Sequence, residues 1–573
     1  MSQGLTIQTE QVDDVPILIA DMRLLTIPTL IDEHFTVHGN WQGLSLGEVS
    51  IGWLAHILTK GDHRLNQVAD WMIQRTETLR GCYEGEVRAA DFADDRLAML
   101  LDKLSEDERW ASFEAALNRR TLRVYDLKPK CVRLDSTTAS GYWKVTEDGL
   151  FQFGYSKDNR PDQPQVKVMM AALDPLGMPV GVHVVPGEKA DDQLYIPVID
   201  QVRRGVEKSG LLYVGDCKLM SFQTRVHLQA GNDFYLGPFS KVQIPDEALE
   251  VYLQPVWDGK QALIPVYRSN QQGEIRQIAE GYEAKETLTA VVGEKTIVWT
   301  ERRLVVRSLA HAKSSTEALH ARLSRAESAL TVLSERRRGK EHLTEIEQIR
   351  QAVEAIMRKY DVEGLFDLSY IERIEQRSVR KYGERPAEMR SEHSVVIQFG
   401  RNETAIQQAI SRLGWRVYGT NQLSDELSLE QAVLAYREEY LIERNFGRLK
   451  GEPLSLTPMY LQEDRRVTGL IRLLSIGLRV LTLMEGVVRR KMAETGKKLA
   501  GLYAGNPKRT TARPTAEAIQ QAFKNIYINV VRIGGQVHRH VTPLSDLQLQ
   551  ILALMGLSPD IYRNLAADFP KPT

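Results

Sequence analysis

Between Cys131 and Pro238 the chain alternates apolar, β-rich runs with helix-periodic stretches, and two of the runs end on an aspartate. The first run is Cys131-Val132-Arg133-Leu134-Asp135. Val166–Leu173 (VKVMMAAL) and Met178–Val185 (MPVGVHVV) follow, joined by Asp174-Pro175-Leu176-Gly177, a hairpin-type turn. A helix is predicted at about 191–206 and a strand over Leu211–Asp216 (LLYVGD). A short helix near 222–230 and a strand over 233–238 complete the run. The order β, β-hairpin, α, β, α, β predicts an α/β core in which strands from distant parts of the chain lie side by side.

This is the element order of an RNase H-like core, although chain order alone is shared by several α/β folds. Nucleases and DNA transferases of that fold take metal ligands from strand, strand and late helix. Here Asp135, Asp216 and Glu443 occupy that order. The helix expected over 428–450 reads LSLEQAVLAYREEYLIERNFGRLK. Tyr436, Glu439, Glu443 and Lys450 fall within roughly 60° of arc on it, a stripe able to offer a carboxylate to metal and an amine to phosphate. Taken singly, each residue has a plainer reading. Asp135 can be a strand-end polar group, Asp216 a turn or cap residue, and the stripe a solvated charged face.

At 573 residues the chain is too long for one core. The expected division is a helical domain over 1–125, the first part of the core over 126–240 and an insertion over 241–411. The second part of the core, over 412–490, carries the Glu443 helix, and a basic, mixed region covers 491–573. Within the insertion, 241–310 reads as β-rich, with a strand at Leu249–Gln254. A helical hairpin follows over 313–360, turning near Arg338-Gly339-Lys340, and 361–411 is mixed. The net charge of −1 provides no global field toward nucleic acid, so any such binding rests on local patches. Ten Lys/Arg against three Glu between Arg302 and Lys340, and eight against one between Arg489 and Arg513, are the candidates. The first is as well described by a solvated helical face. Cys82, Cys131 and Cys217 form no CxxC pair, which argues against zinc and a disulfide framework and fits a reducing cytosol. The N-terminus shows no secretory signal. Arg472 and Arg479 interrupt the apolar stretch 470–488, so an amphipathic helix packed on a sheet is expected there rather than a membrane span.

The motif Tyr436-x2-Glu439-x3-Glu443-x6-Lys450 resembles the YREK signature of DDE transposases from bacterial insertion sequences, with Glu439 where that signature has Arg. The run Gly154-Tyr155-Ser156-Lys157-Asp158-Asn159-Arg160-Pro161-Asp162, with Gln165, is similar to a block of one branch of the same family. Leu134-Asp135-Ser136-Thr137 and Val214-Gly215-Asp216 resemble its first two catalytic blocks. Thr457-Pro458-Met459-Tyr460, Asn506–Thr510 and Val541–Leu544 resemble its later segments. The motifs keep the family's order over almost the full length.

The resemblance implies a Mg²⁺-dependent DNA transposase, endonuclease and strand transferase in one. Two ions (Mn²⁺ substituting) would be held by Asp135, Asp216 and Glu443. Two such ions about 3.5–4 Å apart can activate the attacking oxygen and stabilise the leaving one. The partners implied are double-stranded DNA, as terminal inverted repeats and as target, and a second copy of the chain in a homodimer on paired ends. No membrane is implied, and the setting is a bacterial cytoplasm with association to the nucleoid. Tyr436, Lys450, Lys157 and Arg160 are the implied DNA contacts, with Arg437 or Arg444 a substitute for the missing Arg. Tyr142 and Trp143 add aromatic surface near Lys157 and Arg160. Trp299 would stack on an extruded base, although a strand tryptophan more often belongs to a core. Two alternatives stay open: an RNase H-like nuclease without strand transfer, and an inactive, domesticated DNA-binding protein.

Overall fold

The computed structural model describes residues 5–37, 39, 41–270, 273–334, 345–379, 388–533 and 535–567. It is a mixed α/β protein of two compact units. The first comprises Met1–Gly237, Thr289–Trp299 and Ala435–Thr573; the second comprises Pro238–Leu288 and Thr300–Leu434.

Five strands of the first unit lie side by side: β1 (Cys131–Ser140), β2 (Gln165–Leu173), β3 (Met178–Pro186), β4 (Leu212–Gly215) and β5 (Phe234–Pro238), in the order β3-β2-β1-β4-β5. The hairpin turn at 174–177 makes β2 and β3 antiparallel, and β1 runs antiparallel to β2. The crossover helices α1 (Tyr195–Val206) and α2 (Phe222–Ala230) return the chain so that β1, β4 and β5 are parallel. Every residue of β2 is buried, as are Val132–Leu134 of β1 and all of β4. Such buried runs, apolar from Val168 to Leu173 and through Leu212–Gly215 with only Arg133, Gln165 and Lys167 as polar exceptions, are what a sheet covered on both faces requires.

Late in the chain the last residues of helix α3 (Leu429–Arg437), from Ala435 on, belong to this unit, and helix α4 (Tyr440–Lys450) packs on β1. The 32-residue helix α5 (Asp464–Thr495) runs through the core, packed against β3, α4 and the helices Asp94–Leu104 and Asp546–Met555. It is long and apolar enough to cross a membrane, and 94% of its most apolar window is buried inside the protein. Its two interrupting arginines are buried with it. Arg472 donates to the Leu104 carbonyl and to Asp107, and burial lowers the pKa of Arg479 to about 10.

The expected five-part division differs from the two units observed. The N-terminal helices and the C-terminal region are built into the same unit as the sheet. Strand Thr6–Gln11 pairs with Tyr527–Ile533, and helix Asp107–Val124 packs on α1. Apolar faces on both terminal segments are the physical reason, since each is buried only against the other or the sheet.

In the second unit four strand segments lie in the order Trp415–Thr420, 300–308, 275–288, Ile264–Ser269. The segment expected as a strand at Leu249–Gln254 is instead part of helix Asp246–Trp257. Its first turn is acidic (Asp246, Glu247), which suits a helix N-terminus and outweighs the β-branched content. Helices Leu309–Ser334 and Ile346–Tyr360 share a separate apolar cluster with the hairpin Phe366–Val379/Glu388–Arg401 and helix Glu403–Ser411. The expected turn at Arg338-Gly339-Lys340 lies outside the described residues.

One buried acid makes the first unit sensitive to pH. Asp21, in helix Val15–Leu24, accepts a 3.3 Å hydrogen bond from the Tyr125 hydroxyl, and burial pushes its pKa up to about 7. The folded chain therefore holds a proton that the unfolded chain releases near pH 4. Stability falls as pH rises from about 4 to 7. Asp21→Asn is expected to flatten that slope and raise stability at pH 8 by at most about 4 kcal/mol. Urea midpoints at pH 5 and pH 8 measure it.

Candidate active site

The sheet register brings the two aspartates together. β1 and β4 pair in parallel with Leu134 beside Gly215, and Asp135 and Asp216 are the next residues on each strand. Neighbouring strands lie about 4.8 Å apart and paired residues face the same side. The two carboxyls therefore emerge side by side where the parallel pairing ends, at the carboxyl end of β4 and midway along β1, which runs on to Ser140 against β2. Gly215 keeps the strands close, since a Cβ there would meet the Leu134 carbonyl oxygen at 3.1 Å.

Arg133 sets the third side. Its guanidinium, buried beneath the strand end, donates to both oxygens of Asp174 in the hairpin turn (2.8 and 2.7 Å). It also donates to the Ala435 carbonyl (2.6 Å), which precedes Tyr436. Asn445 of α4 donates to the Gly177 carbonyl in the same turn. The late helices are thus tied to the early hairpin. A small cleft results, lined by Arg133, Leu134, Asp135, Val214, Gly215, Tyr436, Glu439 and Ile442.

The helix expected to run unbroken through 428–450 is broken. α3 ends at Arg437, and i→i+3 hydrogen bonds at Glu439, Leu441 and Ile442 tighten the chain before α4 starts at Tyr440. Glu439 caps the second helix and Glu443 lies in its first turn, at the positive end of the helix dipole. The break alters the expected stripe. Glu439 lines the cleft beside Asp135, whereas Glu443 is exposed and is not among the cleft's lining residues. Both remain within electrostatic reach. Burial first, then the charges of Asp135, Glu443 and Asp216, raise the pKa of Glu439, with Arg133 opposing.

Lys157 enters from the loop between β1 and β2. Its ammonium donates to Asp135 Oδ1 (3.1 Å) and to the Ser136 carbonyl (2.6 Å), and lies 3.9 Å from Asp191. Burial raises the pKa of Asp135; Lys157 and the Ser136 N–H pull it down, and Asp216 pushes it up again. Burial works against the Lys157 ammonium, but Asp135, Asp191 and Asp216 outweigh it and raise the lysine's pKa. Both directions follow from one fact: a single ammonium faces several carboxylates. Asp216 Oδ1 accepts from the buried Tyr195 hydroxyl (2.6 Å) and from the Lys218 N–H (2.8 Å). Tyr195 was not foreseen, because nothing in its sequence neighbourhood marks it. Arg133 could have been, as the one cation inside the buried strand β1.

The other expected contacts are placed as follows. Lys450 donates to the Thr138 carbonyl and to Asp158, fastening α4 to the β1–β2 loop. Arg444, expected at DNA, is instead bound to the buried Glu485, which also pairs with Arg448 and Arg489. A carboxylate buried on α5 needs several donors, and Arg444 is one of them. Trp299, expected to stack on a base, is buried. Its N–H donates to the Tyr235 hydroxyl (2.9 Å) and its ring stacks on Phe222, so its role in this fold is packing. Trp143 likewise stacks on Phe151 and donates to the Leu461 carbonyl, while Tyr142 and Tyr155 are more than four-fifths exposed. Arg160 is exposed and forked onto Asp162. In the 489–513 segment, Arg490 is spent on the Tyr125 carbonyl, whereas Lys497, Lys498, Lys508, Arg509 and Arg513 are exposed.

Among the described residues, no three His, Cys, Asp or Glu side chains are drawn together closely enough to hold a metal ion. The expected ligand set is thus not gathered around one point. Asp135 is engaged by Lys157 and Asp216 by Tyr195. The donor chemistry still suits a hard divalent cation, since the carboxylates at the cleft are oxygen donors in excess of the local positive charge.

A family model described as a domain of unknown function, DUF4277, matches residues 7–116. Comparison with curated proteins gives no match. Among solved structures, the chain is similar to a piggyBac transposase in a synaptic complex with hairpin DNA, seen by cryo-EM. The identity is 9% and the TM-score 0.34, over 99% of this chain and 89% of that one.

Arg133→Met leaves the Asp174 carboxylate and the Ala435 carbonyl without their shared donor. The expected loss is about 3–5 kcal/mol of stability, measured by urea unfolding. Arg133→Lys should recover only part, because an ammonium cannot reproduce the fork onto Asp174 and reach Ala435 as well.

Proposed function

We propose that the sheet of the first unit and its late helix form part of an RNase H-like core and that the protein is a DNA transposase of a bacterial insertion sequence. On this reading it cleaves phosphodiester bonds at terminal inverted repeats and joins the 3′ ends to target DNA. One observation carries the reading. Asp135 and Asp216 stand side by side where the parallel pairing of β1 and β4 ends, with a late helix delivering Glu439 and Glu443 to the same charged region. The ordered sequence motifs that run through these residues support it.

In this mechanism Asp135, Asp216 and Glu443 would hold divalent ions, Mg²⁺ or Mn²⁺, with Glu439 beside them. Such ions, when bound, supply Lewis-acid activation of the attacking water or 3′ hydroxyl and stabilise the leaving oxygen. The chain's own residues do the rest. Tyr195 fixes the Asp216 carboxyl through its hydroxyl, and Arg133 holds Tyr436 and Glu439 at the cleft by anchoring Ala435. The apolar strands beneath the acids exclude bulk water, which strengthens each charge interaction above them. DNA phosphates track along Lys157, Arg160, Lys450 and the exposed cations of 497–513. Tyr142 and Tyr155 offer faces for bases at the cleaved end. The working form is a homodimer on paired ends, in the cytoplasm at the nucleoid.

The test uses a duplex carrying the short inverted repeats that flank this reading frame. Asp135→Asn, Asp216→Asn and Glu443→Gln are each expected to reduce Mg²⁺-dependent nicking by at least about a thousandfold while end binding survives in a gel-shift assay. A variant that still nicks at the wild-type rate removes that residue from the site. Joining of precleaved 3′ ends to a target plasmid separates a transposase from a nuclease that only cuts.

A further inference from the structure

We propose that Lys157 is a resident cation of the cleft that a divalent ion must displace from Asp135 in order to bind. The inference rests on the reading of the cleft as a metal site. It adds a competitor for that site built from the chain's own residues.

Three observations carry it. The Lys157 ammonium lies 3.1 Å from Asp135 Oδ1, and that same oxygen accepts a 2.7 Å hydrogen bond from the Ser136 N–H, so its lone pairs are engaged. The ammonium also donates to the Ser136 carbonyl at 2.6 Å, which docks it against strand β1. Its backbone is fixed as well, the Lys157 N–H donating to Thr138 Oγ1 at 3.1 Å. The side chain is therefore delivered to the carboxylate by a loop strapped to the catalytic strand. A hard cation seeks the same anionic oxygen, and two cations at one carboxylate repel in a half-buried setting where screening is weak.

The chemistry of lysine suits exchange. Its charge is compact and sits on a flexible four-carbon stem, so it can leave without moving the backbone. Asp191, 3.9 Å from the ammonium and already paired with Lys167, is a carboxylate it can turn toward. Displacement would also free the charge for a DNA phosphate, so that ion binding and strand engagement use one lysine in turn. Arg133, the other cation at the cleft, is forked onto Asp174 and is not interchangeable in this way.

Two measurements on the full-length chain test the proposal. Mn²⁺ binding is followed by electron paramagnetic resonance for wild type, Lys157→Met, Lys157→Arg and Asp135→Asn. Lys157→Met is expected to bind Mn²⁺ about tenfold tighter than wild type, the size of one charge-assisted hydrogen bond removed from the competition. Lys157→Arg, which keeps the charge, should bind no tighter than wild type. The second measurement needs no variant. Lys157 in the wild-type chain is acetylated with acetic anhydride and quantified by mass spectrometry, with and without saturating Mg²⁺. Its labelling is expected to rise severalfold when Mg²⁺ is present. Equal or weaker Mn²⁺ binding by Lys157→Met, or labelling that does not change on Mg²⁺ saturation, overturns the displacement while leaving the metal site standing. Mn²⁺ binding that is absent from wild type, or unchanged in Asp135→Asn, overturns the metal site and the displacement together.

Discussion

The parallel pairing of β1 with β4 is the constraint on which the rest of this molecule turns. Four residue pairs, from Cys131 with Leu212 to Leu134 with Gly215, set the register. A slip of one residue would turn the aspartates to opposite faces of the sheet, because side chains alternate along a strand. Parallel neighbours cannot be joined by a tight turn, so a hairpin and a helix must intervene between them. That requirement accounts for the long separation between Asp135 and Asp216 in the chain. The cleft opens where that pairing ends, β4 stopping at Gly215 while β1 continues to Ser140.

Charge balance shapes what is built on that register. Asp135, Asp216, Glu439 and Glu443 lie within reach of one another's fields, and such crowding is costly unless cations or donors compensate it. The fold supplies partial compensation from three directions: the Lys157 ammonium, the Tyr195 hydroxyl, and the N-terminal end of α4. Arg133 contributes from beneath while its hydrogen bonds go to Asp174 and Ala435. Negative charge remains in excess, which is the condition for attracting further cations. Elsewhere the opposite balance holds: at Glu485 three arginines surround one buried carboxylate, and the result is a structural brace.

Much of the first unit could be read from residue patterns. The strands at 131, 165, 178, 212 and 234 were legible because buried β-runs are apolar and bounded by turn residues, and the DPLG turn marked the hairpin directly. The helix at 246–257 was misread because β-branched and aromatic residues in a short window suit strand and helix alike, and its acidic start was the better signal. The break at Glu438–Glu439 was not legible either. No glycine or proline marks it, and it separates Tyr436 from the helix that bears Glu443. Arg444 and Trp299 show a different limit. Each has the chemistry of a DNA contact, and each is claimed by an interior partner that lies far away in sequence.

The sequence by itself determined the alternation of elements and the placement of two aspartates on or just after buried strands. These are local properties, set by side-chain periodicity and turn chemistry within a few residues. Only the tertiary structure decided that Glu439 rather than Glu443 lines the cleft. It likewise decided that Lys157 and Tyr195 engage the two aspartates, and that the terminal segments join the same unit as the sheet. Those outcomes depend on which distant groups meet once apolar surface is buried. Burial is a sum over the whole chain, which no short stretch of residues contains.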